Sequence, residues 1–116
     1  MASLRDRLFG PAAQSPPAQV TSRVSVENGG DVPLLAIFEP WCYTCEIAPG
    51  SEYVFEATSP RPGWLRVEPS ADALTVYAWD ACVARVLNAE GQVLETLDIR
   101  VPDFVALAEE ARRQAP

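Results

Sequence analysis

The sequence predicts an all-β protein, an antiparallel β-sandwich of about seven or eight strands with a short C-terminal α-helix and a tethered N-terminal segment. Short alternating or apolar segments recur with turn residues between them from Val20 to Ile99. After Pro102 the hydrophobic period changes from that of a strand to that of a helix. Three prolines among small and polar residues from Pro11 to Gln19 are typical of an extended tether. The predicted units are residues 1–19, 20–100 and 101–116.

The N-terminal residues predict a short helix from Ser3 to Phe9, because Ser3 suits an N-cap and Gly10 and Pro11 stop a helix. A helix of two turns is unstable alone in water and forms only against another surface. Its apolar residues are therefore candidate partner-binding residues: Leu4, Leu8 and Phe9.

The first two strands are predicted to pair with each other. Val20 to Glu27 alternates valines with polar residues, which predicts a half-exposed strand. Asn28 to Asp31 is a turn signal, so this strand is expected to run antiparallel to the next. Leu34 to Phe38 carries large apolar side chains at both parities, which predicts a central strand covered on both faces.

Pro40 is expected to end the central strand, because proline cannot donate to a strand ladder. The strand end should then present Trp41, Cys42 and Cys45 at its rim. Further strands are expected at Tyr43 to Ile47 and Glu52 to Thr58, and two hairpins are expected from Trp64 to Glu68 with Ala73 to Trp79 and from Ala81 to Leu87 with Gln92 to Ile99.

The C-terminal helix is predicted from an apolar stripe, Phe104, Leu107, Ala108 and Ala111, with Pro102 as the first helical residue. Amphipathic helices usually bury such a stripe, so we expect this helix to cover one end of the sandwich. The alternative is that the stripe binds a partner chain, which makes Phe104 and Leu107 candidate binding residues.

The composition excludes several classes of function. A net charge of -7 and a pI near 4.4 argue against a nucleic-acid-binding protein, which needs a basic patch. No apolar run is long enough to span a membrane, and the first residues lack the apolar core of a secretory signal, so we expect a cytoplasmic protein. The chain has no histidine, which excludes histidine-based catalysis. We therefore expect a non-enzymatic protein without a cofactor.

The cysteines allow three interpretations. The sequence W-C-Y-T-C from Trp41 to Cys45 resembles the redox motif of the thioredoxin family, and this resemblance implies a reactive dithiol at a helix N-terminus. Pro49 and Gly50 follow too soon for such a helix. A second alternative is a metal site of Cys42, Cys45 and Cys82, with Asp80 or Glu39 as fourth ligand. The third is that the thiols are reduced and metal-free.

Aromatic and acidic residues near the strand ends are further candidates. Trp41 and Trp79 both lie at predicted strand ends beside acids, and if these ends converge they form an aromatic rim suited to a protein or carbohydrate contact. A glycosidase-like pair needs two carboxylates at a working distance that sequence spacing cannot establish; the available acids are Glu39, Glu46, Glu56, Glu68 and Asp80.

A wider resemblance covers Val20 to Trp79. Asn28 with Asp31 and Pro33, then Glu39-Pro40-Trp41, then Pro49-Gly50 before a strand, is similar to small bacterial β-sandwich proteins of unknown activity that carry an E-P-W followed by a P-G turn. The resemblance implies the sandwich fold and no activity.

These observations together predict a binding or adaptor module that acts through protein contacts. The candidate contact residues are Leu4, Leu8, Phe9, Trp41, Trp79, Phe104 and Leu107. Two alternatives remain at this point: a small acidic inhibitor that neutralises a basic partner, as immunity proteins do, and a cysteine-based metal or redox protein.

Overall fold

The fold is a two-layer β-sandwich. It is taken from a computed structural model that describes residues 18–114. The predicted helix with Leu4, Leu8 and Phe9 and most of the predicted tether lie outside the described residues. Eight strands and one helix occur within the described part of the chain: β1 (Val20–Glu27), β2 (Leu34–Glu39), β3 (Tyr43–Ile47), β4 (Glu52–Ser59), β5 (Arg66–Pro69), β6 (Ala73–Tyr77), β7 (Val83–Asn88), β8 (Val93–Leu97) and α1 (Phe104–Gln114).

Each layer is a four-stranded sheet. The first has the strand order β1-β4-β7-β8 and the second the order β3-β2-β6-β5. The all-β fold with a C-terminal helix is thereby confirmed, as are the hairpins β5–β6 and β7–β8. One pairing departs from the antiparallel prediction, because β2 and β6 run parallel.

The predicted hairpin between β1 and β2 is wrong, since the two strands belong to different sheets. Asn28 supplies the reason. Its side-chain amide donates to the carbonyls of Val32 and Ile47, both at 2.8 Å, and its side-chain oxygen accepts from Gly30 N at 2.9 Å. These bonds hold the connection as an arch that crosses from one sheet to the other, so the turn residues do not close a hairpin.

The core lies between the inner faces of the sheets. Phe38 of β2 and Phe55 of β4 are fully buried, and their rings meet edge-to-face with centroids 5.3 Å apart. The largest other fully buried side chains come from both sheets and the β6–β7 corner: Ile47, Val76, Val86 and Cys82. The period-two alternation of the strands therefore closes one continuous core.

The outer face of β2 is uncovered. The sequence predicted burial on both faces, yet Leu35 is 38% exposed and Ile37 is only half-buried. In the described part of the chain no third layer packs on this side. Hydrophobicity at both parities therefore reflects here a central position in the sheet, between β3 and β6, and not coverage of both faces.

Helix α1 begins two residues later than the placement of Pro102 as its first residue predicts. Asp103 is its N-cap, because Ala106 N donates to Asp103 Oδ1 at 3.1 Å, and Pro102 precedes the cap. The helix buries none of its residues. The prediction that it covers an end of the sandwich is therefore wrong, because the strand residues already close the core without it.

A charged ladder crosses the outer face of the first sheet. Arg23 of β1, Glu56 of β4 and Arg85 of β7 stand in register. Arg23 bonds to Glu56 Oε2, and Arg85 Nε donates to Glu56 Oε1 at 2.8 Å. Burial raises the pKa of the Glu56 carboxyl, but the hydrogen bonds and charges of the two arginines outweigh it and hold its pKa below the ordinary value. Glu56 therefore stays ionised although its side chain is only 8% exposed.

We predict that Glu56→Gln lowers the free energy of unfolding at pH 7 by about 1–3 kcal/mol, the usual cost of weakening hydrogen bonds to a buried charged group. The folded-state pKa of Glu56 is depressed, so its stabilisation is complete above the unfolded pKa and is lost as pH falls through the folded pKa. Urea unfolding at pH 7 and at low pH should therefore show a smaller pH dependence in Glu56→Gln than in the natural chain.

Glu68→Gln is the matched control, because Glu68 pairs with Arg66 at 3.1 Å while its side chain is 58% exposed. An exposed ion pair contributes little to the free energy of unfolding, so this variant should unfold like the natural chain at both pH values. An unchanged pH dependence in Glu56→Gln would show that the ladder does not stabilise the sheet.

Candidate functional site

One end of the sandwich is built from three loops tied by hydrogen bonds. The β4–β5 loop is tied to the β6–β7 corner because Ser59 Oγ donates to Asp80 O at 2.6 Å. The segment before α1 is tied to the same corner because Val101 N donates to Cys82 O at 2.9 Å. This arrangement brings together parts of the chain that are far apart in sequence, and we call it the loop end.

Trp79 forms the centre of the loop end. Its indole N–H donates to Arg61 O at 2.8 Å, and its ring lies flat against Gly63. A Cβ atom at Gly63 would lie 2.3 Å from Trp79 Cδ1, closer than atoms can approach. Gly63 is therefore required for the close contact between the indole and the backbone.

Trp41 lies in the β2–β3 turn at the same end. A hydrogen bond that Ala78 N donates to Glu39 O at 3.0 Å ties the end of β2 to the β6–β7 corner. The Trp41 ring meets Phe38 edge-to-face at 5.0 Å, and its indole N–H donates to Ile99 O at 2.6 Å. Trp41 therefore has two structural roles: it packs on the core, and it holds the segment that leads to α1. The strand ends converge, which was the condition set for an aromatic rim, but Trp41 is half-buried against the core and lines neither groove described next.

Two grooves lie on either side of the chain from Tyr77 to Trp79. The Phe104 groove has a volume of about 270 Å³, and its lining is Glu39, Pro40, Tyr77, Ala78, Trp79, Asp80, Val101 and Phe104. The Trp64 groove has a volume of about 420 Å³, and its lining is Pro62, Gly63, Trp64, Arg66, Tyr77, Ala78 and Trp79. Trp79 is common to both, so its fixed position shapes both surfaces.

Trp64 is the feature that sequence reasoning missed. Its side chain is 75% exposed, although tryptophan is rarely left so open. Arg66 stacks over the Tyr77 ring with its guanidinium carbon 4.4 Å from the ring centroid. The position of Trp64 directly after Pro62 and Gly63 was a usable signal, because residues next to such a loop often lie outside the core.

Helix α1 is fixed at its start and exposed along its length. Arg61 Nε donates to Asp103 Oδ2 at 2.9 Å and Oδ1 at 3.1 Å. Two hydrogen bonds hold the pKa of Asp103 below its ordinary value. The one from Ala106 N has the larger effect and the one from Arg61 the next. Phe104 and Leu107 are 56% and 57% exposed, so both candidate residues on the helix are accessible to a partner.

The carboxylates do not form a buried pair. Glu39 and Asp80 both line the Phe104 groove, whereas Glu56 belongs to the arginine ladder and Glu46 and Glu68 lie on the outer face of the second sheet. A general acid at neutral pH needs a carboxyl group in apolar, water-poor surroundings. Glu39 and Asp80 are both partly exposed to water and do not have such surroundings.

The three cysteines lie in three different environments. Cys42 is exposed in the β2–β3 turn with φ 56°, Cys45 is half-buried on the inner face of β3, and Cys82 is buried in the β6–β7 corner. Cys45 therefore belongs to the strand and not to its rim. In residues 18–114 all three thiols are free, and no group of three histidine, cysteine or acidic side chains is placed to hold a metal ion.

The electrostatics of the thiols work against redox chemistry. A hydrogen bond to Glu39, together with its negative charge, raises the pKa of Cys42, and burial raises the pKa of Cys45 and of Cys82. Reactive cysteines of the thioredoxin type have a lowered pKa at a helix N-terminus. Here the motif spans a turn and a strand, because Cys45 pairs with Ala36 in the β2–β3 ladder.

Comparison of the chain with family models, with curated proteins and with solved structures found no match. In the part of the chain that the structure describes, no helix is long and apolar enough to cross a membrane.

We predict that Cys42 is alkylated first, and more slowly at pH 8 than cysteine in an unstructured peptide, because its raised pKa lowers the thiolate fraction. Glu39→Gln should speed this alkylation, since removing the negative charge of Glu39 lowers the pKa of Cys42 and increases its thiolate fraction. Intact-mass and peptide mass spectrometry of timed iodoacetamide reactions measures both rates.

Glu46→Gln is the control for this experiment, because Glu46 lies on the outer face of β3 and faces Leu35 across the ladder. Its rate should equal that of the natural chain. If Glu39→Gln leaves the Cys42 rate unchanged, Glu39 does not set the reactivity of this thiol.

We predict that Gly63→Ala destabilises the loop end by about 1–3 kcal/mol, because the added methyl group must displace the Trp79 indole. Near-ultraviolet circular dichroism should change with the altered indole environment, and urea unfolding gives the free energy. Gly29→Ala is the control, since an added Cβ there has no atom within 4 Å. Equal stability of the two variants would contradict the role given to Gly63.

Proposed function

We propose that this protein is a non-enzymatic binding or adaptor module that contacts a protein partner through the start of α1 and the Phe104 groove. The observation that supports this proposal is the apolar side of α1. Phe104 and Leu107 lie three residues apart, so they share one face of the helix, and they are 56% and 57% exposed. Contiguous exposed apolar residues on a folded domain are typical of an interaction surface.

The anchoring of the helix strengthens the argument. The first turn of α1 is fixed by the Asp103 cap and by Arg61, which a terminal helix without a contact role does not require. These contacts place Phe104 in the lining of a groove whose other apolar residues are Pro40, Ala78, Trp79 and Val101. An aromatic anchor beside a groove rimmed by Glu39 and Asp80 is the arrangement of an interface core with a polar rim.

The groove is a better binding surface than a catalytic one. Its two carboxylates are both partly exposed, and no histidine exists in the chain to act as a base. The thiols have raised pKa values, which disfavours cysteine nucleophiles. The free thiols also support a reducing, cytoplasmic location for this module.

A second candidate is an acidic inhibitor of a basic protein, supported by the net charge of -7. The two candidates differ in their physics. Charge steering accelerates association at low ionic strength and is screened by salt, whereas contact through apolar residues is nearly salt-independent. Once a partner is isolated, the salt dependence of its association with this protein distinguishes the two candidates.

We predict that replacing both Phe104 and Leu107 by Ser weakens binding of the partner at least about tenfold, because aromatic and aliphatic anchors carry most of the energy of an interface. The immobilised full chain captures proteins from the native host, each captured protein is produced separately, and its affinity is measured by calorimetry. Val32→Ser is the control, since Val32 is 66% exposed and lies in the arch at Asn28, away from α1.

The salt dependence of the association rate separates the two candidates. Binding through α1 should change less than about threefold between 50 and 500 mM salt, whereas an acidic inhibitor should lose about tenfold or more. Full affinity of the Phe104 and Leu107 double variant, with circular dichroism showing that it is folded, would refute the proposed surface.

A further inference from the structure

The Trp64 groove is a second surface, which shares Tyr77, Ala78 and Trp79 with the Phe104 groove but contains no described residue of α1. Its lining contains Trp64, Tyr77 and Trp79 together with Pro62 and Gly63. Tyr77 lies on β6 and pairs with Arg66 of β5, and Trp64 lies two residues before Arg66. The proposed contact through Phe104 does not use this groove.

The polar groups of the Trp64 groove are mainly hydrogen-bond donors. The indole N–H of Trp79 is already bonded to Arg61 O. The remaining side-chain groups of the lining are the indole N–H of Trp64, the hydroxyl of Tyr77 and the guanidinium of Arg66. Indole and guanidinium groups donate and cannot accept, and within the part of the chain that the structure describes the lining contains no carboxylate and no side-chain amide.

A proline-rich segment matches such a surface. Proline has no N–H, and the polyproline II conformation has no internal hydrogen bonds, so the segment presents carbonyl acceptors and few donors. Its rings pack on flat aromatic side chains, and aromatic-lined grooves are the usual receptors for it. A carbohydrate matches less well, because sugar hydroxyls also donate, and among the side chains of this lining only the Tyr77 hydroxyl can accept.

Charge adds one further requirement. Among residues 18–114, Arg66 is the only charged side chain in the lining of the groove, and the chain has a net charge of -7. Its side chain is 63% exposed, and its pair with Glu68 at 3.1 Å is an exposed ion pair that a ligand carboxylate can exchange. The complementary ligand therefore carries an acidic residue beside its prolines.

We propose that the Trp64 groove binds a proline-rich segment of a partner protein, with the proline rings on Trp64 and an acidic residue of the segment at Arg66, which lies over the Tyr77 ring. This proposal rests on the proposed function as a binding module and assigns the class of ligand for a second site. It also accounts for the exposure of Trp64, which has no role in the core.

The test uses the full chain and a blocked synthetic peptide, A-P-P-A-P-P-E-A. Two comparison peptides have Gln in place of Glu, or Ala in place of every Pro. Two-dimensional NMR follows the indole N–H signals of the three tryptophans during titration to about 2 mM peptide, a range that detects binding as weak as about 4 kcal/mol. We expect saturable shifts of the Trp64 signal with the first peptide and none with the proline-free peptide.

Substitutions in the groove assign the contacts. Trp64→Ala should weaken peptide binding about tenfold or more, as for an aromatic anchor. Arg66→Gln should bind the Glu and Gln peptides equally, whereas the natural chain should prefer the Glu peptide at low salt. Because Trp64 is exposed, its replacement should leave circular dichroism and urea unfolding unchanged. The Val32→Ser chain serves as the control variant.

Three outcomes would overturn the proposal. One is the absence of saturable shifts with any peptide, and another is equal binding of the proline-free peptide. The third concerns three prolines of the chain itself that precede β1 in the sequence: Pro11, Pro16 and Pro17. The start of β1 is near the groove, because Leu65 N donates to Ser22 Oγ at 3.0 Å. If the peptide binds only after these prolines are replaced by Ala, the groove is occupied by the chain's own segment and not by a partner.

Failure here is distinguishable from failure of the proposed function. The Phe104 and Leu107 double variant retains every residue of the Trp64 groove, and Trp64→Ala retains Phe104 and Leu107. Loss of peptide binding with intact capture through α1 would refute only the ligand class. A soluble glucan oligosaccharide, titrated in parallel, would overturn the proposal if it shifted the Trp64 signal and the peptides did not.

Discussion

The position of Phe38 is the constraint on which the rest of the structure depends. Its ring meets Phe55 across the core and Trp41 in the β2–β3 turn, so one buried side chain joins the two sheets and the loop end. Trp41 in turn holds Ile99 O, and the segment after it leads through Asp103 to α1. The packing of one phenyl ring is therefore connected, by three short steps, to the surface that we propose for partner binding.

The two grooves share a design in which rigid backbone supports exposed side chains. Trp79 is fixed by Arg61 O and by the absence of a side chain at Gly63, and it separates the grooves. The side chains offered to a ligand, Trp64 on one side and Phe104 on the other, are those that the core does not need. Binding through aromatic anchors on a fixed frame loses little conformational entropy, which supports the binding role that we propose.

The acidic composition acts through particular residues and not only as a net charge. Glu56 is retained inside a sheet because Arg23 and Arg85 compensate its burial, and Asp103 caps a helix while it accepts from Arg61. Glu39 instead raises the pKa of Cys42, which lowers the reactivity of the most accessible thiol. Carboxylates therefore stabilise the fold in two places and restrain thiol chemistry in a third.

The sequence by itself determined the strands and the helix, because period-two and helical apolar patterns are local: β2, β3, β4, the β5–β6 and β7–β8 hairpins and α1 all occur close to their predicted positions. Only the tertiary structure decided how they assemble. The bonds of Asn28 sent β1 and β2 to different sheets, β2 and β6 paired in parallel, and α1 stayed uncovered. Trp64 and Trp79 continue the two arms of the β5–β6 hairpin, in which Arg66 pairs with Tyr77. The Phe104 groove instead joins Trp79 to Pro40 and Phe104, which are distant in sequence, and no local pattern encodes which loops meet.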